Sequence, residues 1–420
     1  MSRTRVTIVG GGVASAAAIA ALRADGFDGG ITLVSAEETV PYERPPLSKE
    51  YLLGDAADVT VVHDEAWYAS HDVDLLLGTR ATGLHLGERR VFLDDGGAVP
   101  LGYDILLLAT GVRPRRIPGF ECDGVCYLRT DADAADLRDR IQAAEHVAVL
   151  GGGFIGCEVA AAAIRRGKRV TLLEALPQVL QRALGPRIGG VIASIHRDAG
   201  VDVRTGQAVT GVAPRPGGGV WVSTPDGSFP CDVLVIGVGT VPNAELAEAA
   251  GLPTDGGIAV DEYFTAAPGV YAAGDVAAQY LPQYGQRIRV EHHDTAARHG
   301  RAAARSMLGK REPFSDVHWF WSDQYQHSIQ SAGLPDGSHG AIIRGSLDER
   351  SFSAFSLEGG RVRAVISLNR PKDVIETRRL IAREHSVTAA QLRDESTPVK
   401  RLAARPPGPS QPPEPDRTTP

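Results

Sequence analysis

Cysteine is scarce in this sequence: four residues among 420, with no Cys-x-x-Cys pair. Disulfide scaffolds are short chains dense in cysteine, so that class of protein is excluded. Cys122 and Cys126 lie close together in a predicted loop, but two thiols fall short of the ligand set of a structural zinc site. The cysteine usage therefore predicts free thiols in a reducing compartment, the cytoplasm, and no metal site.

Long hydrophobic runs and an excess of positive charge are also missing. No stretch reaches the roughly 18 apolar residues of a transmembrane helix, and the start lacks the features of a signal peptide. Lys and Arg total 44 against 51 Asp and Glu, a net charge of −7, whereas nucleic-acid binders are usually basic. We expect neither a membrane nor a nucleic-acid partner.

Glycine, by contrast, is abundant, and two of its clusters belong to an internal repeat. The run Val-Thr-Ile-Val-Gly-Gly-Gly at 6–12 resembles Val-Ala-Val-Leu-Gly-Gly-Gly at 147–153. Each run is followed by an Ala-rich helical stretch, at 13–24 and 154–166, and then by a second apolar run. The order strand, turn, helix, strand, found twice, predicts two βαβ units with parallel strands.

The first glycine motif is Gly10-x-Gly12-x-x-Ser15, placed between a strand and a helix. Gly10 permits a tight turn, and Gly12 allows the backbone to approach a pyrophosphate at the helix N-terminus. Glu37 follows the second strand and is expected to bind ribose hydroxyls, although Ser35 or Glu38 are alternatives. The motif predicts a dinucleotide site.

The second motif, Gly151-x-Gly153-x-x-Gly156, has the full set of glycines, and Glu174 ends the following strand. A carboxylate there accepts bonds from both ribose hydroxyls and repels a 2′-phosphate. Residues 175–178 contain no arginine that could hold such a phosphate, so NADH is favoured over NADPH. Two dinucleotide folds in one chain predict one flavin, FAD, and one nicotinamide, NADH.

From about residue 315 the pattern changes to clustered aromatics, strands with intervening turns, and helical stretches at 373–383 and 389–394. We therefore predict an α/β protein with two Rossmann-like dinucleotide-binding domains, for FAD and NAD, plus a C-terminal α+β domain. The predicted boundaries are 1–112 and 244–314 for the FAD-binding domain, 113–243 for the NAD-binding domain, 315–405 for the C-terminal domain, and 406–420 for a disordered Pro-rich tail. Antiparallel hairpins are expected at 80–99, with a turn at 94–97, and at 201–231.

Further motifs resemble those of the FAD-dependent pyridine-nucleotide oxidoreductases. These motifs are Ala-Thr-Gly at 109–111 and Ala-Gly-Asp at 273–275. Within that family the sequence is most similar to the ferredoxin reductases of oxygenase systems, of the putidaredoxin reductase and aromatic dioxygenase branch. The segments that carry this resemblance, in the family's order, are 41–49 (Pro-Tyr-Glu-Arg-Pro-Pro-Leu-Ser-Lys), 127–130, 151–158, 320–324 and 369–371.

The resemblance implies roles for individual residues. Lys49 is expected near the flavin N5 edge, Glu158 is expected to pair with it, and Trp321 is expected to stack near the flavin ring; these three are the predicted catalytic residues. Arg44 and Arg129 are expected to bind FAD. The predicted cofactor-binding residues are Gly10, Gly12, Val13, Ala14, Ser15, Glu37, Arg44, Pro45, Lys49, Ala81, Ala109, Thr110, Gly111, Arg129, Gly151, Gly153, Phe154, Ile155, Gly156, Glu158, Glu174, Gly237, Gly239, Gly274, Asp275, His293 and Trp321.

Two departures from relatives are visible. His293 stands where the family often has an apolar or aromatic residue near the flavin, so its contact with FAD and its effect on the flavin potential are open. Residues 40–54 lack the redox cysteine pair of the disulfide reductases. Electrons therefore cannot leave through a thiol pair at that position.

These observations predict an FAD-dependent NADH:ferredoxin reductase, an oxidoreductase that serves a cytochrome monooxygenase or a ring-hydroxylating dioxygenase. The expected partner is a 2Fe–2S ferredoxin, and a basic stretch at 287–311, with seven cations and two acids, suits an acidic partner. The alternatives are reduction of rubredoxin or of a small-molecule acceptor, and a redox-switched flavoprotein. Monomer and homodimer both remain open.

Overall fold

The computed structural model describes residues 3–94, 99–282, 284–334 and 341–404. Most of the expected 94–97 turn and the whole tail at 406–420 lie outside these ranges. The chain forms two compact units. The first contains Met1–Glu121, Cys126–Ala143 and Ile236–Ser315, and the second contains Cys122–Val125, Ala144–Val235 and Asp316–Pro420.

The first unit is built on a six-stranded sheet whose central strands are parallel. Val6, Ile8 and Leu107 are fully buried, as expected for strands covered on both faces. In spatial order the strands are Thr265–Ala267, Val270–Ala272, Ile105–Leu108, Arg5–Val9, Gly30–Val34 and Val73–Leu76. Smaller sheets complete the unit. One contains Ala81–His85, Arg90–Leu93 and Leu101–Gly102, and another contains Val112–Pro114 and Thr240–Pro242. A further one contains Ile258–Val260, Ala277–Leu281 and Gln286–Arg289.

Two helices of the first unit pack closely together behind the first glycine-rich turn, Val13–Ala24 and His293–Met307. A Cβ at Gly300 would lie 2.0 Å from the carbonyl oxygen of Ala14, so only glycine permits this approach. The helix that carries the turn is thereby fixed from behind. The other helices of the unit are Glu50–Leu53, Glu65–Ser70, Asp131–Ala143 and Glu245–Ala249, with 3-10 turns at Pro45–Ser48 and Gly274–Val276.

The second unit repeats the strand–turn–helix–strand arrangement. His146–Leu150 pairs in parallel with Arg169–Glu174, and the helix Phe154–Arg165 connects them. The sheet order is Asp202–Thr205, Arg169–Glu174, His146–Leu150, Val233–Ile236 and Val125–Cys126. Gln181–Asp198 is a further helix, kinked at Gly185, and an antiparallel sheet contains Gly211–Pro214, Val220–Thr224 and Gly227–Cys231.

The same unit ends in a five-stranded antiparallel sheet. Its spatial order is Trp319–Gln324, His327–Gly333, Arg361–Leu368, Ser351–Glu358 and Ile342–Ser346, and the helices that follow are Pro371–Ala382, Ala389–Arg393 and Val399–Ala404. The Arg344 side chain, only 3% exposed, joins sheet and helices by donating to the carbonyl oxygens of Leu392, Asp394 and Thr397 at 2.8–3.1 Å.

The predicted fold class is confirmed: two α/β units carry the repeat, and the C-terminal part is α+β. The helix expected at 373–383 begins earlier, at Pro371, because proline suits a first helical position. The helix Val399–Ala404 was not predicted. The domain boundaries given above stay a prediction. Within the described ranges, no helix combines the length and the apolar character needed to cross a membrane.

Arg344→Met should lower the free energy of unfolding by about 2–4 kcal/mol, because the buried carbonyl group of Leu392 and the part-buried carbonyl groups of Asp394 and Thr397 lose a charged donor. Urea unfolding followed by tryptophan fluorescence measures this change. Arg363→Met is the matched control, since Arg363 is half-buried and pairs with Glu358 near the surface. Equal destabilisation by the two variants would contradict the assignment of Arg344 as a structural anchor.

Candidate functional site

The first glycine-rich turn is held by contacts that exclude side chains. Gly10 has a φ of +119°, and a Cβ there would lie 2.2 Å from the carbonyl oxygen of Ala109. Its N–H donates to the Val34 oxygen at 2.8 Å, and the Ser15 hydroxyl donates to the Gly10 oxygen at 2.5 Å. A Cβ at Gly12 would meet nothing within 4 Å, so space remains beside the N-terminus of the helix that begins at Val13.

The second turn repeats this geometry. Gly151 has a φ of +107°, and its N–H donates to the Leu173 oxygen at 2.8 Å. A Cβ at Gly156 would lie 1.9 Å from the Gly151 oxygen, which explains the third glycine of this motif. Phe154 and Ile155 form the first turn of the helix after Gly153, and Ile155 is exposed. The helix that begins at Phe154 thus follows the same kind of turn as the helix at Val13, the arrangement that binds phosphate in dinucleotide folds.

A cleft of about 930 Å³ lies in the first unit. Nine predicted residues line it: Gly10, Gly12, Glu37, Arg44, Ala81, Ala109, Thr110, Gly111 and Arg129. Five arginines and three carboxylates are among the lining residues, so cationic groups predominate. Val13, Ala14 and Ser15 belong to the helix behind the turn. The size, the charge and the open glycine-rich turn fit a dinucleotide with a pyrophosphate.

Glu37 is held by two side chains from the segment that follows it. Arg44 Nη2 donates to Glu37 Oε1 and the Tyr42 hydroxyl donates to Glu37 Oε2, both at 2.5 Å. Tyr42 also accepts from Arg44 Nη1 at 3.0 Å and from the backbone N–H of Asp131 at 2.9 Å. Burial raises the pKa of Tyr42, so the hydroxyl stays protonated. Sequence reasoning quoted this segment but missed Tyr42, because no motif marks its contacts with Glu37 and Arg44, and its third contact, Asp131, lies 89 residues away.

Arg129 and Asp275 form a second polar pair of the first unit. Arg129 Nη2 lies 3.0 Å from Asp275 Oδ2, and both side chains are largely shielded from solvent. Asp133 accepts the backbone N–H groups of Arg129 and Thr130 at 3.0 and 2.9 Å, which fixes the segment that carries Arg129. Gly274, with a φ of +76°, precedes Asp275 in a 3-10 turn. Asp133 was not identified from the sequence.

The Ala109–Gly111 segment is held by Asn243, another residue that sequence reasoning missed. Thr110 Oγ1 donates to the Asn243 carbonyl oxygen at 2.7 Å, and Asn243 Nδ2 donates to the Thr110 oxygen at 2.8 Å. Gly111 has a φ of +65°. Asn243 lies 133 residues from Thr110, so no local pattern could have linked the two.

Lys49, Pro45 and His293 are not among the residues that line the cleft. Lys49 Nζ donates to the carbonyl oxygen of Pro45 at 3.2 Å across a 3-10 turn. His293 Nε2 lies 2.8 Å from a carboxylate oxygen of Glu43. The histidine that departs from the family pattern thus contacts the same 41–49 segment that carries Arg44 and Lys49.

Glu174 is bound to its own turn. Its Oε2 accepts the N–H of Gly152 at 2.7 Å, and its Oε1 accepts the N–H of Leu176 at 2.8 Å. The carboxylate is therefore fixed beside the second turn, as ribose recognition requires. Gly237 and Gly239 fall in the first unit, where the Gly239 carbonyl oxygen accepts the N–H of Arg115 at 2.9 Å.

Glu158 and Trp321 both belong to the second unit. Glu158 is 4% exposed on the helix Phe154–Arg165 and accepts the Ser322 hydroxyl at 2.6 Å. Trp321 stacks on Trp319 with ring centroids 5.0 Å apart. Cys157, next to Glu158, is fully buried, and burial together with Glu158 and Glu174 raises the pKa of its thiol. Cys157 is thus a packed, protonated thiol.

The basic stretch at 287–311 is largely neutralised by acids. Arg289 pairs with Glu291, Arg298 with Asp294, Arg305 with Asp25 and Glu312, Lys310 with Asp25, and Arg311 with Asp261. Several of these acids come from outside the stretch. A count of charges along the sequence therefore overstates the positive surface.

Comparison with known proteins adds to this geometry. A family model described as pyridine nucleotide-disulphide oxidoreductase matches residues 4–300, and one described as reductase C-terminal matches residues 319–403. Putidaredoxin reductase from Pseudomonas putida is 39% identical over 409 residues, which cover 95% of this chain and 96% of the relative.

Two further matches cover nearly the whole of this chain and of the matched protein. The ferredoxin–NAD(+) reductase component of an anthranilate 1,2-dioxygenase system from Burkholderia cepacia is 39% identical over 405 residues, 95% of this chain and 99% of the relative. The crystal structure of a covalent putidaredoxin reductase–putidaredoxin complex matches with a TM-score of 0.92 at 38% identity, and the match covers 96% of this chain and 99% of that chain.

Tyr42→Phe should raise the dissociation constant of FAD from the first unit about three- to tenfold, because Glu37 and Arg44 lose the hydroxyl that orients them. Fluorescence quenching of FAD by the apoprotein gives the dissociation constant. Tyr103→Phe is the matched control, since the buried Tyr103 hydroxyl has no hydrogen-bond partner among the residues that the structure describes. Equal FAD affinity of the two variants would show that Tyr42 does not organise the site.

Proposed function

The chain belongs to the pyridine nucleotide-disulphide oxidoreductase family, and from this premise we propose that it is an FAD-dependent NADH:ferredoxin reductase. Its partner is a 2Fe–2S ferredoxin that serves a cytochrome monooxygenase or a ring-hydroxylating dioxygenase. The observation that carries the proposal is the end-to-end similarity to proteins named as ferredoxin reductases, C-terminal domain included.

The first unit is proposed to hold FAD. The N-terminus of the helix at Val13 and the arginines of the cleft would face the pyrophosphate, and Glu37 would bind the ribose. Arg44 and Arg129 are already oriented by Glu37 and Asp275, so little side-chain freedom would be lost on binding. Pro45, Ala81, Gly274 and His293 complete the proposed contacts.

The second unit is proposed to hold NADH. Glu174 is oriented by two backbone N–H groups of its own turn, which places a negative charge where a 2′-phosphate would lie. Phe154 and Ile155 follow Gly153 at the helix N-terminus, beside the proposed pyrophosphate position. The proposed preference for NADH over NADPH rests on this carboxylate.

Three residues are proposed to act at the reacting edge, the N5 edge of the flavin ring: Lys49, Glu158 and Trp321. When bound there, FAD would supply a hydride acceptor for NADH and a donor of single electrons to a one-electron acceptor. Lys49 would supply positive charge beside the ring, Glu158 would pair with Lys49, and Trp321 would line the path to the ferredoxin. No cysteine in residues 40–54 competes for the electrons.

The proposed location is the cytoplasm, because all four cysteines are free thiols. The domain assignment proposed with this function is that predicted from the sequence: FAD on 1–112 and 244–314, NAD on 113–243, and the C-terminal domain on 315–405.

Cytochrome c reduction tests the function directly. The FAD-loaded protein, NADH and cytochrome c are combined with increasing amounts of a 2Fe–2S ferredoxin, and the rate should rise in proportion to the ferredoxin added. The same ferredoxin without its cluster is the control.

Two different failures are distinguishable in this experiment. If NADH bleaches the flavin but the rate does not depend on ferredoxin, hydride transfer is supported and the proposed acceptor is wrong. Rubredoxin, quinones and a redox-switched role would then be tested. An absence of bleaching would contradict the oxidoreductase proposal itself.

Glu174→Gln should lower the preference for NADH over NADPH, in kcat/KM, by about tenfold, because the charge that repels a 2′-phosphate is lost. Asp202→Asn is the control, since Asp202 is an exposed acid on the neighbouring strand. Steady-state kinetics with both nucleotides give the two ratios. An unchanged ratio in Glu174→Gln would contradict the proposed role of Glu174.

A further inference from the structure

Glu158 is a buried carboxylate whose hydrogen bond to Ser322 is only the first of a series. Burying a charged group is costly unless hydrogen bonds compensate. The Ser322 hydroxyl donates to Glu158 Oε1 at 2.6 Å. Ser322 is fully buried on the strand Trp319–Gln324, at the edge of the C-terminal sheet.

Three more side chains extend the series away from Glu158. Gln324 Nε2 donates to Ser322 Oγ at 3.2 Å. His196 Nε2 lies 3.0 Å from Gln324 Oε1, and the Tyr325 hydroxyl lies 2.9 Å from His196 Nδ1. Ser322 and Gln324 share one face of their strand, as alternate residues do, and Asp323 between them is exposed. We call Tyr325, His196, Gln324 and Ser322 the positioning chain.

The chemistry of each group gives all hydrogen bonds of the positioning chain the same donor-to-acceptor direction. The oxygen of Gln324 can only accept, so His196 carries its proton on Nε2. Burial lowers the pKa of His196 to about 4, so the ring is neutral near pH 7 and its Nδ1 accepts from Tyr325. Burial also raises the pKa of Tyr325, which therefore remains a donor. Every bond thus points its proton toward Glu158.

We propose that the positioning chain fixes the orientation of the Glu158 carboxylate. Hydrogen bonds aligned head to tail polarise one another, so the last bond, from Ser322 to Glu158, is strengthened by the others. A fixed carboxylate matters for catalysis because small displacements of a reacting group are costly. The catalytic consequence rests on the proposed function, in which Glu158 acts at the reacting edge, whereas the orientation of Glu158 is independent of it.

The elements joined by the positioning chain explain why it can act as a rigid support. His196 lies on the helix Gln181–Asp198, Ser322 and Gln324 lie on the first strand of the C-terminal sheet, and Tyr325 lies in the turn after it. The Tyr325 ring also packs edge-on against His196, with centroids 5.3 Å apart. Removal of the Tyr325 hydroxyl alone therefore interrupts the chain and leaves this packing in place.

The test uses Ser322→Ala, Tyr325→Phe and the double variant in the FAD-loaded protein. Anaerobic stopped-flow measurement of flavin reduction gives the rate at saturating NADH and the NADH dissociation constant separately. Ser322→Ala should lower the rate about three- to tenfold and Tyr325→Phe about twofold, with NADH affinity changed by less than about twofold. The double variant should react like Ser322→Ala, because the positioning chain acts through Ser322.

Ser331→Ala is the matched control. The Ser331 hydroxyl is buried in the adjacent strand and has no hydrogen-bond partner within the described ranges, so its loss should leave the rate unchanged. A role in stability alone would lower the melting temperature without changing the rate of the loaded protein. That outcome, or multiplicative effects of Ser322→Ala and Tyr325→Phe, would overturn the catalytic consequence of the proposal.

Crystal structures of the parent and of Ser322→Ala give a readout that needs no activity. The Glu158 side chain should occupy one conformer in the parent and several in the variant. A single, unchanged conformer in both would overturn the proposal. Should NADH fail to bleach the parent flavin, the proposed function fails, and the conformers of Glu158 still decide whether the positioning chain orients it.

Discussion

Both nucleotide-binding folds depend on one backbone hydrogen bond, made twice. The N–H of Gly10 donates to Val34 and the N–H of Gly151 donates to Leu173, each at 2.8 Å. This bond ties the first strand to the second where the chain turns into the helix, and the donor glycine has a positive φ in both turns. The open helix N-terminus and the position of the acid after the second strand follow from it.

The two acids that follow these turns are held in different ways, although the backbones are alike. Glu37 is bound by Tyr42 and Arg44, whose own contacts reach the segment around 129–131. Among the residues that the structure describes, the Glu174 carboxylate accepts hydrogen bonds from backbone N–H groups alone, those of Gly152 and Leu176. The first site therefore depends on the fold of the whole unit, whereas the second is assembled almost entirely by a single βαβ unit.

This difference explains how much of the molecule could be predicted from the sequence. The fold class, the two turns, Glu37 and Glu174 all follow from local spacing, because strand, turn and helix patterns are short in sequence. Asn243 could not be found in this way, since Thr110 lies 133 residues away. Tyr42 has two near partners, Glu37 and Arg44, but no motif marks those contacts, and its third partner, Asp131, lies 89 residues away. Ser322 lies in the 320–324 segment quoted above, but its partner Glu158 is 164 residues away. His196 belongs to no quoted motif, and its partner Gln324 is 128 residues away, so only the folded chain brings these residues together.

The basic stretch shows the opposite error, in which sequence reasoning finds too much. Seven cations at 287–311 suggest a strongly positive face, but folding places Asp25, Asp261 and Glu312 against three of them. Among the residues that the structure describes, Arg287 and Arg301 are the members of this stretch for which no ion pair is seen. Exposed ion pairs contribute little to stability. In each pair, however, the acid cancels much of the positive field of the cation, a field that reaches a partner only within about a Debye length, about 10 Å. Attraction of an acidic partner must therefore depend on cations that the folded chain leaves uncompensated, and not on the length of a basic run.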